Sequence, residues 1–268
     1  MSSQLVVDVS HHNKTVDWET FAKTGAHAII RCGYGDDVAS QDDKQWERNI
    51  SEVERLGIPH GVYFYSHATT QEQIYSEIRH AKRLLEGHEL QYPVYFDSEE
   101  PGTEEFAAHA ARTFCAAMEG LGYWAGVYAS DSWFRENLQG VDDYTKWVAR
   151  YSEYPPRIDC DMWQFTSKGT FDSVPAANGG VDLSYCYRDF PAEIAGWELQ
   201  KEVMEMGPWF AFAYEGATFV YMDGKAVCMP CAEDWERMQE VYREQSDGKE
   251  IPKAAISEAL CKLLIGVE

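Results

Sequence analysis

The chain has 268 residues, 45% of them apolar and 14% aromatic, which is enough for a sizeable buried core. Its formal net charge is −22, with 45 acidic against 23 basic residues, and this argues against a nucleic-acid partner, since phosphate binding needs a basic face. No apolar run approaches the length of about 18 residues that spans a membrane. The opening MSSQLVVDVS lacks a basic segment followed by an apolar one, so no secretory signal is visible.

Eight short apolar runs predict β-strands. They are LVVDVS (5–10), HAIIRCGYG (27–35), HGVYFYSHA (60–68), YPVYFDSEE (92–100), WAGVYAS (124–130), KWVARYS (146–152), DMWQFTS (161–167) and GGVDLSYC (179–186). Most are apolar on both faces, which is typical of a parallel sheet covered by helices. Amphipathic helices are predicted between them at 42–57, 69–87 and 103–122. Beyond residue 150 the connections are too short or too rich in Pro and Gly, so we predict an α/β fold: an irregular (β/α) TIM-like barrel with incomplete helical cover, over residues 1–195.

The last part of the chain has a different character. Pro191 and Gly196 indicate a linker over 189–198, and the barrel is expected to end there. A hairpin with a turn at 223–224 and two helices, at 232–245 and 252–266, should follow. These elements predict a small C-terminal α+β domain over residues 196–268.

The seven cysteines are odd in number and scattered, which does not indicate a disulfide framework. CMPC at 228–231 has the spacing of a zinc site, but a structural zinc needs a tetrahedral set of ligands. Only Cys261 follows this motif, and no histidine lies beyond His109. We therefore predict no metal and no cofactor.

Carboxylates gather where the predicted strands meet the mouth of the barrel. Asp8 lies near the end of the first strand, Asp97 and Glu99 close the fourth, and Asp182 lies in the last. Period-two alternation puts Asp97 and Glu99 on one face, where like charges raise each other's pKa. Such a cluster either binds Mg²⁺ or Ca²⁺ or performs acid–base chemistry.

Aromatic residues in or beside the strands favour a sugar as the substrate, since sugar rings have apolar faces and hydroxyl rims. Phosphate substrates would instead require Lys and Arg or a glycine-rich loop, and GYGDDV is not a dinucleotide fingerprint. Glycoside hydrolysis needs two carboxyl groups, one of which keeps its proton. A neighbouring Asp97 and partial burial are expected to raise the pKa of Glu99 for that purpose. The aromatic set comprises Tyr34, Tyr63, Tyr65, Tyr95, Tyr128, Trp147 and Trp163.

The order of motifs resembles a known family. VVDVSHHNKTVDW, AIIRCGYG, GIPHGVYFYSHA, YPVYFDSEE, AGVYAS, WVARY, DMWQFTS and GGVDLSY are collinear with the family 25 glycoside hydrolases, the Chalaropsis-type lysozymes or N-acetylmuramidases. The resemblance covers about residues 4–190 and does not extend to the tail. One departure is the NK at Asn13 and Lys14, where many members have QG; Asn13 is a plausible polar replacement for the Gln, and Lys14 is expected to alter the local loop.

The resemblance implies a catalytic set of Asp8, Asp97, Glu99 and Asp182. It makes Glu99 the general acid/base and Asp97 the residue that stabilises a positively charged intermediate, either a glycosyl ester or an oxazolinium. It further implies cleavage, with retention and without a metal, of the β-1,4 bond from N-acetylmuramic acid to N-acetylglucosamine in peptidoglycan. The expected substrate contacts are Tyr63, Tyr65, Tyr34, Trp163, Arg31 and Tyr128.

Two alternatives remain open: a non-catalytic glycan-binding barrel, and a hydrolase of another N-acetylated glycan such as chitin. The substrate lies outside the membrane, so we expect action on the cell wall after phage-type release or after loss of a leader. The tail could bind cell wall through a groove lined by Trp209, Phe210, Phe212 or Tyr214, mediate self-association or shield the barrel. The sequence indicates no oligomeric state.

Overall fold

The computed structural model describes residues 3–206, 209–222, 225–229, 232–246, 249–255, 261 and 264–265. The chain divides into two compact units, Met1–Ile194 and Ala195–Glu268. The first unit contains a closed eight-stranded barrel, and the second contains a three-stranded sheet. The predicted fold class, an irregular TIM-like barrel followed by a small α+β part, is confirmed.

All eight predicted strands form and close the barrel in chain order. They are β1 (Gln4–Val9), β2 (His27–Tyr34), β3 (His60–Tyr65), β4 (Val94–Asp97), β5 (Ala125–Ser130), β6 (Thr145–Ala149), β7 (Met162–Gly169) and β8 (Val181–Cys186). Strands β1 to β7 are parallel, but β8 is antiparallel to both β7 and β1, which differs from the parallel expectation. Residues 170–180, which join β7 to β8, contain no helix and are too few for a parallel crossover, and Ala177 pairs with Gly180 across a turn at Asn178 and Gly179, which both have positive φ.

Helices cover only part of the barrel. They are α1 (Trp18–Ala22), α2 (Trp46–Leu56), α3 (Gln71–Leu85), α4 (Glu104–Gly120) and α5 (Asp131–Asn137). Gly57 ends α2 with a φ of 64°, and Thr70 caps α3 by accepting a hydrogen bond from the Gln73 backbone N–H. The three predicted helices are thus confirmed as α2, α3 and α4. No helix lies within residues 150–180, all of which are described, so the cover is incomplete as predicted.

An aromatic layer fills the interior of the barrel. Trp147 lies at its centre, with ring centroids 4.4 Å from Tyr128 and 5.2 Å from Tyr95, and its Nε1 donates to Ser184 Oγ. Gly126 leaves the room for Tyr95, because a Cβ there would lie 2.7 Å from that ring. Each such buried side chain contributes roughly 2 kcal/mol. The packed layer forms a floor beneath the polar residues at the carboxyl ends of the parallel strands.

The predicted linker over 189–198 is wrong, because a continuous helix, α6 (Phe190–Met206), occupies that segment. Pro191 lies in its first turn, where the missing N–H would have had no partner within the helix. Phe190 and Ile194 pack with the aromatic floor of the barrel.

In the second unit, β9 (Trp209–Tyr214), β10 (Ala217–Met222) and β11 (Lys225–Met229) form an antiparallel sheet, and α7 (Ala232–Gln245) confirms the predicted helix. The β10–β11 hairpin forms as predicted, although its turn residues 223–224 lie outside the described residues. The helix predicted over 252–266 does not begin there, since Lys253 pairs with Ala211 as a parallel bridge; much of the rest lies outside the described residues.

Three of the four aromatics assigned to a groove in this unit belong to its packing instead. Phe210 and Phe212 are buried and Tyr214 packs against them, and of the three only Phe212 also lines a cavity, so the predicted groove is wrong for Phe210 and Tyr214. The side chain of Trp209 lies outside the described part of the chain. Of the CMPC motif, Cys228 is exposed and Cys231 is not described.

Candidate active site

The barrel brings the four predicted carboxylates to one mouth. Asp8 lies on β1, Asp97 is the last residue of β4, and Glu99 follows two residues later. Asp182 is the second residue of β8 and lies opposite Asp8 in the strand register. It reaches the mouth because β8 is reversed, so its position is near the amino end of a strand rather than at a carboxyl end.

Asp8 is buried and held by one amide. Gln164, on β7, donates from Nε2 to Asp8 Oδ2 at 2.9 Å, while its Oε1 accepts from Tyr128 Oη at 2.8 Å and from Tyr151 Oη at 2.9 Å. Burial and the charge of Asp182 raise the pKa of Asp8 well above its ordinary value, and the Gln164 bond opposes them. Neither Gln164 nor Tyr151 was predicted as a site residue.

Asp97 is buried and incompletely paired. Its Oδ1 has no hydrogen-bond partner among the described residues, and its backbone carbonyl accepts from Ser66 N at 3.0 Å. Burial and the charge of Glu99 raise the pKa of Asp97 well above its ordinary value, although Arg31 acts in the opposite direction.

Glu99 is partly buried, and its pKa is also raised. The causes are burial first, then the charges of Asp182 and Glu100. The predicted direction of the Glu99 shift agrees with this, and the repulsion between Glu99 and Asp97 raises the pKa of Asp97 as well. The four acids lie within electrostatic reach of one another.

A cavity of about 280 Å³ opens beside the Asp8–Asp182 pair. Tyr63 forms part of its wall, and Lys168 and His12 are cations or potential cations there. Burial raises the pKa of Asp182 to about 6. This cavity is large enough for part of a sugar residue and is lined by both acceptors and donors.

Arg31, predicted as a substrate contact, belongs to a closed ionic cluster beside the carboxylates. Its Nε donates to Asp43 Oδ2 at 2.8 Å, and the same oxygen accepts from the His11 backbone N at 3.0 Å and lies 2.9 Å from His11 Nδ1. Burial alone would lower the pKa of Arg31, but the charge and hydrogen bond of Asp43 and the charge of Asp97 raise it. Asp43 lies just before α2 and was not predicted, because no local pattern marks it as a partner of β2.

Tyr34 and Tyr65 flank an exposed His67 at the rim. The His67 ring lies 5.7 Å from that of Tyr34 and 5.3 Å from that of Tyr65, and Tyr65 Oη donates to Glu100 Oε2 at 2.6 Å. Glu100, which follows Asp97 and Glu99 in the chain, therefore orients Tyr65. Tyr63 lies deeper, in the cavity wall.

The predicted contact Trp163 is the one that the structure does not bring to the mouth. It is adjacent to the inward-facing Gln164 on β7 and so faces outward, where its ring packs near Phe165 and Tyr185. Its Nε1 donates to the Arg150 carbonyl at 2.8 Å. Strand alternation, applied to DMWQF, favours Gln164 over Trp163 as the site residue.

The loop after β3 is held by a buried acid that was not predicted. Glu77 on α3 accepts from Ser66 Oγ and from the His67 backbone N, both at 2.7 Å. Burial raises the pKa of Glu77 to about 7. Because Ser66 N also bonds the Asp97 carbonyl, Glu77 fixes the loop next to Asp97.

The loop after β1 accommodates the Asn13–Lys14 departure. Asn13 Oδ1 accepts from Ser10 N at 3.1 Å, and its Nδ2 donates to the Pro175 carbonyl at 3.0 Å. Lys14 adopts φ 56° and ψ −131°, a backbone conformation that glycine reaches far more easily. The turn is thus formed with a strained Lys14.

Among the described residues, no group of three or more His, Cys, Asp or Glu side chains is placed to hold a metal ion. In the same part of the chain, no helix is both long and apolar enough to cross a bilayer.

The family model for "Glycosyl hydrolases family 25" matches residues 7–174. No curated protein sequence gives a significant match. Several solved structures share the fold. The modular autolysin LytC from Streptococcus pneumoniae is 25% identical, with a TM-score of 0.59 over 69% of this chain and 47% of its own, so this chain spans about half of that protein. LytC has also been solved in complex with a synthetic peptidoglycan ligand.

Two further structures are similar at lower identity. The catalytic domain of endolysin ply40 from bacteriophage P40 of Listeria monocytogenes is 24% identical, with a TM-score of 0.64 over 73% of this chain and 98% of its own. A bacterial lysozyme from Streptomyces coelicolor is 18% identical, with a TM-score of 0.58 over 73% of this chain and 97% of its own.

Proposed function

The chain belongs to glycosyl hydrolases family 25, and from this premise we propose that it is a peptidoglycan hydrolase of the lysozyme type. The observation that carries the proposal is the mouth of the barrel, where Asp8, Asp97, Glu99 and Asp182 lie together with raised pKa values. The bond cut is the β-1,4 bond between N-acetylmuramic acid and N-acetylglucosamine, with retention. The peptidoglycan ligand bound by the similar LytC supports this substrate.

Glu99 is the proposed general acid/base. Its raised pKa keeps a proton available, and that proton passes to the glycosidic oxygen as the bond from this oxygen to the anomeric carbon breaks. Asp97 stabilises the positive charge that develops on the sugar, either as a glycosyl ester or beside an oxazolinium formed by the substrate's N-acetyl group. Glu99 then takes a proton from water as the water oxygen bonds to the anomeric carbon and the bond from that carbon to the Asp97 oxygen, or to the N-acetyl oxygen, breaks. This step restores the starting state with retention.

Asp8 and Asp182 have a supporting part in this proposal. The charge of Asp182 raises the pKa of Glu99, and Asp8 adds negative potential where the sugar becomes positive. Tyr63 in the cavity wall and the rim pair Tyr34 and Tyr65 are the proposed contacts for the sugar rings. The Tyr128 hydroxyl is already bonded to Gln164, so its contribution is to hold that amide.

Clearing of purified cell walls, followed by turbidity, tests the proposal. Wild type should clear them and the Glu99→Gln variant should be slower by roughly 10³-fold. Glu105→Gln is the matched control, because Glu105 is exposed in the first turn of α4. Equal clearing by wild type and Glu99→Gln would overturn the assignment of Glu99.

Two other outcomes have distinct signatures. Binding of wall fragments without new reducing ends would indicate a non-catalytic glycan-binding barrel. Cleavage of chitin oligomers at a rate equal to that of peptidoglycan would indicate a broader N-acetylated glycan as substrate. The activity proposed here places the protein's action at the cell wall.

We further propose that the second unit binds cell wall. It contains a cavity of about 350 Å³ whose lining includes Phe212, Thr218, Trp235 and Lys253. The Lys253 ammonium lies 5.7 Å from the centre of the Trp235 ring, so an aromatic face and a cation are available for a carboxylated sugar.

Co-sedimentation with walls tests this role, using full-length Glu99→Gln so that the walls stay intact. Adding Trp235→Ala should release the protein into the supernatant, whereas Val241→Ala, an exposed position on α7, should not. Unchanged sedimentation would contradict wall binding at this cavity, and light scattering of the same samples would test self-association instead.

A further inference from the structure

Gln164 is almost fully buried, with 2% of its surface exposed, and its side chain bonds to Asp8, Tyr128 and Tyr151. Its Nε2 donates to Asp8 Oδ2, and its Oε1 accepts from the hydroxyls of Tyr128 and Tyr151. Tyr128 is buried, whereas Tyr151 is 58% exposed. A single amide therefore connects a buried acid with a side chain at the surface.

The chemistry of these partners fixes the orientation of the amide. An ionised carboxylate only accepts hydrogen bonds, so the NH₂ group must face Asp8. The two tyrosine hydroxyls then donate to the carbonyl oxygen. With Asp8 ionised, a flipped amide would place oxygen against oxygen at Asp8 and lose that bond, so the observed orientation is the one that suits the charged form.

We propose that Gln164 is a positioning residue that holds Asp8 ionised and oriented toward the substrate, with Tyr128 and Tyr151 locking the amide. This inference rests on the proposed function of the mouth. Gln164 itself need not touch the reacting atoms, since it acts through Asp8.

The surroundings of Asp8 explain why such a device is needed. Burial and the charges of Asp182 and Glu99 favour the neutral form of Asp8. The hydrogen bond donated by the Gln164 side chain favours the charged form. On the cavity wall the cationic or potentially cationic groups are Lys168 and His12. The other titratable groups that interact with Asp8 come from four elements: Asp97, Tyr63, Tyr128 and Tyr151.

The test replaces the NH₂ group of Gln164 by an oxygen and keeps the shape of the side chain. In Gln164→Glu the tyrosines can still donate to one oxygen, but the second oxygen faces Asp8, and the two acids must share a proton. We expect the acidic limb of kcat/KM against pH to move upward by at least about one unit. Direct titration of the Asp8 carboxyl carbon by NMR should show the same shift. A role in folding alone would lower activity by one factor at every pH and leave both curves in place.

Tyr151→Phe is the milder companion, because it keeps the Gln164–Asp8 bond and the Tyr128 hydroxyl. The acidic limb of kcat/KM and the NMR titration of Asp8 should both move to higher pH by about 0.3 pH unit, and the temperature of thermal unfolding should change little. Unmoved curves in both variants would overturn the inference. Because the NMR titration needs no turnover, a shifted Asp8 titration in an inactive wild type would instead reject the proposed function.

Discussion

Two aspartates at the mouth are equally buried and behave in opposite ways. Asp43 and Asp97 are each 3% exposed. Asp43 receives hydrogen bonds from Arg31, from the His11 backbone and from Gln45 N, and these partners bring its pKa below the ordinary value although burial opposes them. Asp97 has an unpaired oxygen, and its pKa is raised. The partners of Asp43 outweigh the effect of burial on its pKa, and Asp97 has no such set of partners.

The difference indicates a structural role for Asp43 and a chemical role for Asp97. The hydrogen bonds of Asp43 join the loop after β1 and the start of α2 to β2. These bonds also balance the negative charge of Asp43. The carboxyl groups of Asp8, Asp97, Glu99 and Asp182 are crowded, and that of Asp97 is incompletely paired. This arrangement costs stability and makes protons available near neutral pH. The following predictions test this division.

Asp97→Asn should separate activity from stability. Wall-clearing activity should fall by roughly 10²-fold or more, because an amide cannot balance the positive charge of the intermediate. The free energy of unfolding at pH 7 should not fall, since a buried and incompletely paired carboxyl is removed. Turbidity and denaturant unfolding measure the two effects. Full activity, or a large loss of stability, would break the comparison.

Asp43→Asn should instead act on stability. The Arg31 charge would be left buried without its partner, so the free energy of unfolding should fall by about 3 kcal/mol in denaturant unfolding. Asp142→Asn is the control, because Asp142 forms an exposed surface pair with Lys146 and its loss should change little. Equal effects of the two substitutions would contradict the structural role of Asp43.

Glu77→Gln should change how stability depends on pH. The folded pKa of about 7 lies above the ordinary 4.5, so the folded state binds the extra proton and the associated stability is full below pH 4.5. That stability is lost as pH rises to about 7. The Glu77→Gln variant should therefore gain on wild type by about 3 kcal/mol between pH 4.5 and 8. Parallel stability curves for the two proteins would show that Glu77 ionises normally.

Lys14→Gly should give the smallest effect, and it has no electrostatic origin. Glycine relieves the strained φ of 56° but loses more backbone freedom on folding, so the net gain should be about 1 kcal/mol. Thermal unfolding should rise by about 2–4 °C. A lower melting temperature would mean that the Lys14 side chain stabilises the loop by more than its strain costs.

The strands and the longer helices could be predicted because their signals are local. Buried strands are continuous apolar runs, and α2 and α3 carry an amphipathic period with a glycine or threonine at a boundary. The reversal of β8 also had a local signal, since residues 170–180 are too few for a parallel crossover and contain no helix, but the parallel pattern of the preceding strands concealed it.

The four acids could be placed together from their positions at strand ends and the family resemblance, but their partners could not. Asp43 pairs with Arg31 through packing of a loop on a strand, which leaves no trace in spacing. Gln164 was within reach of the alternation rule, which also excludes Trp163. The source of the raised Glu99 pKa depends on how deeply each neighbouring acid is buried, and only three-dimensional contacts give that.

Mass spectrometry of digested, borohydride-reduced peptidoglycan tests the central claim most directly, because it identifies the bond that Glu99 protonates. We predict reduced N-acetylmuramic acid at the new ends with wild type and none above background with Glu99→Gln. Reduced N-acetylglucosamine at those ends, or the same products from Glu99→Gln at an undiminished rate, would contradict the account.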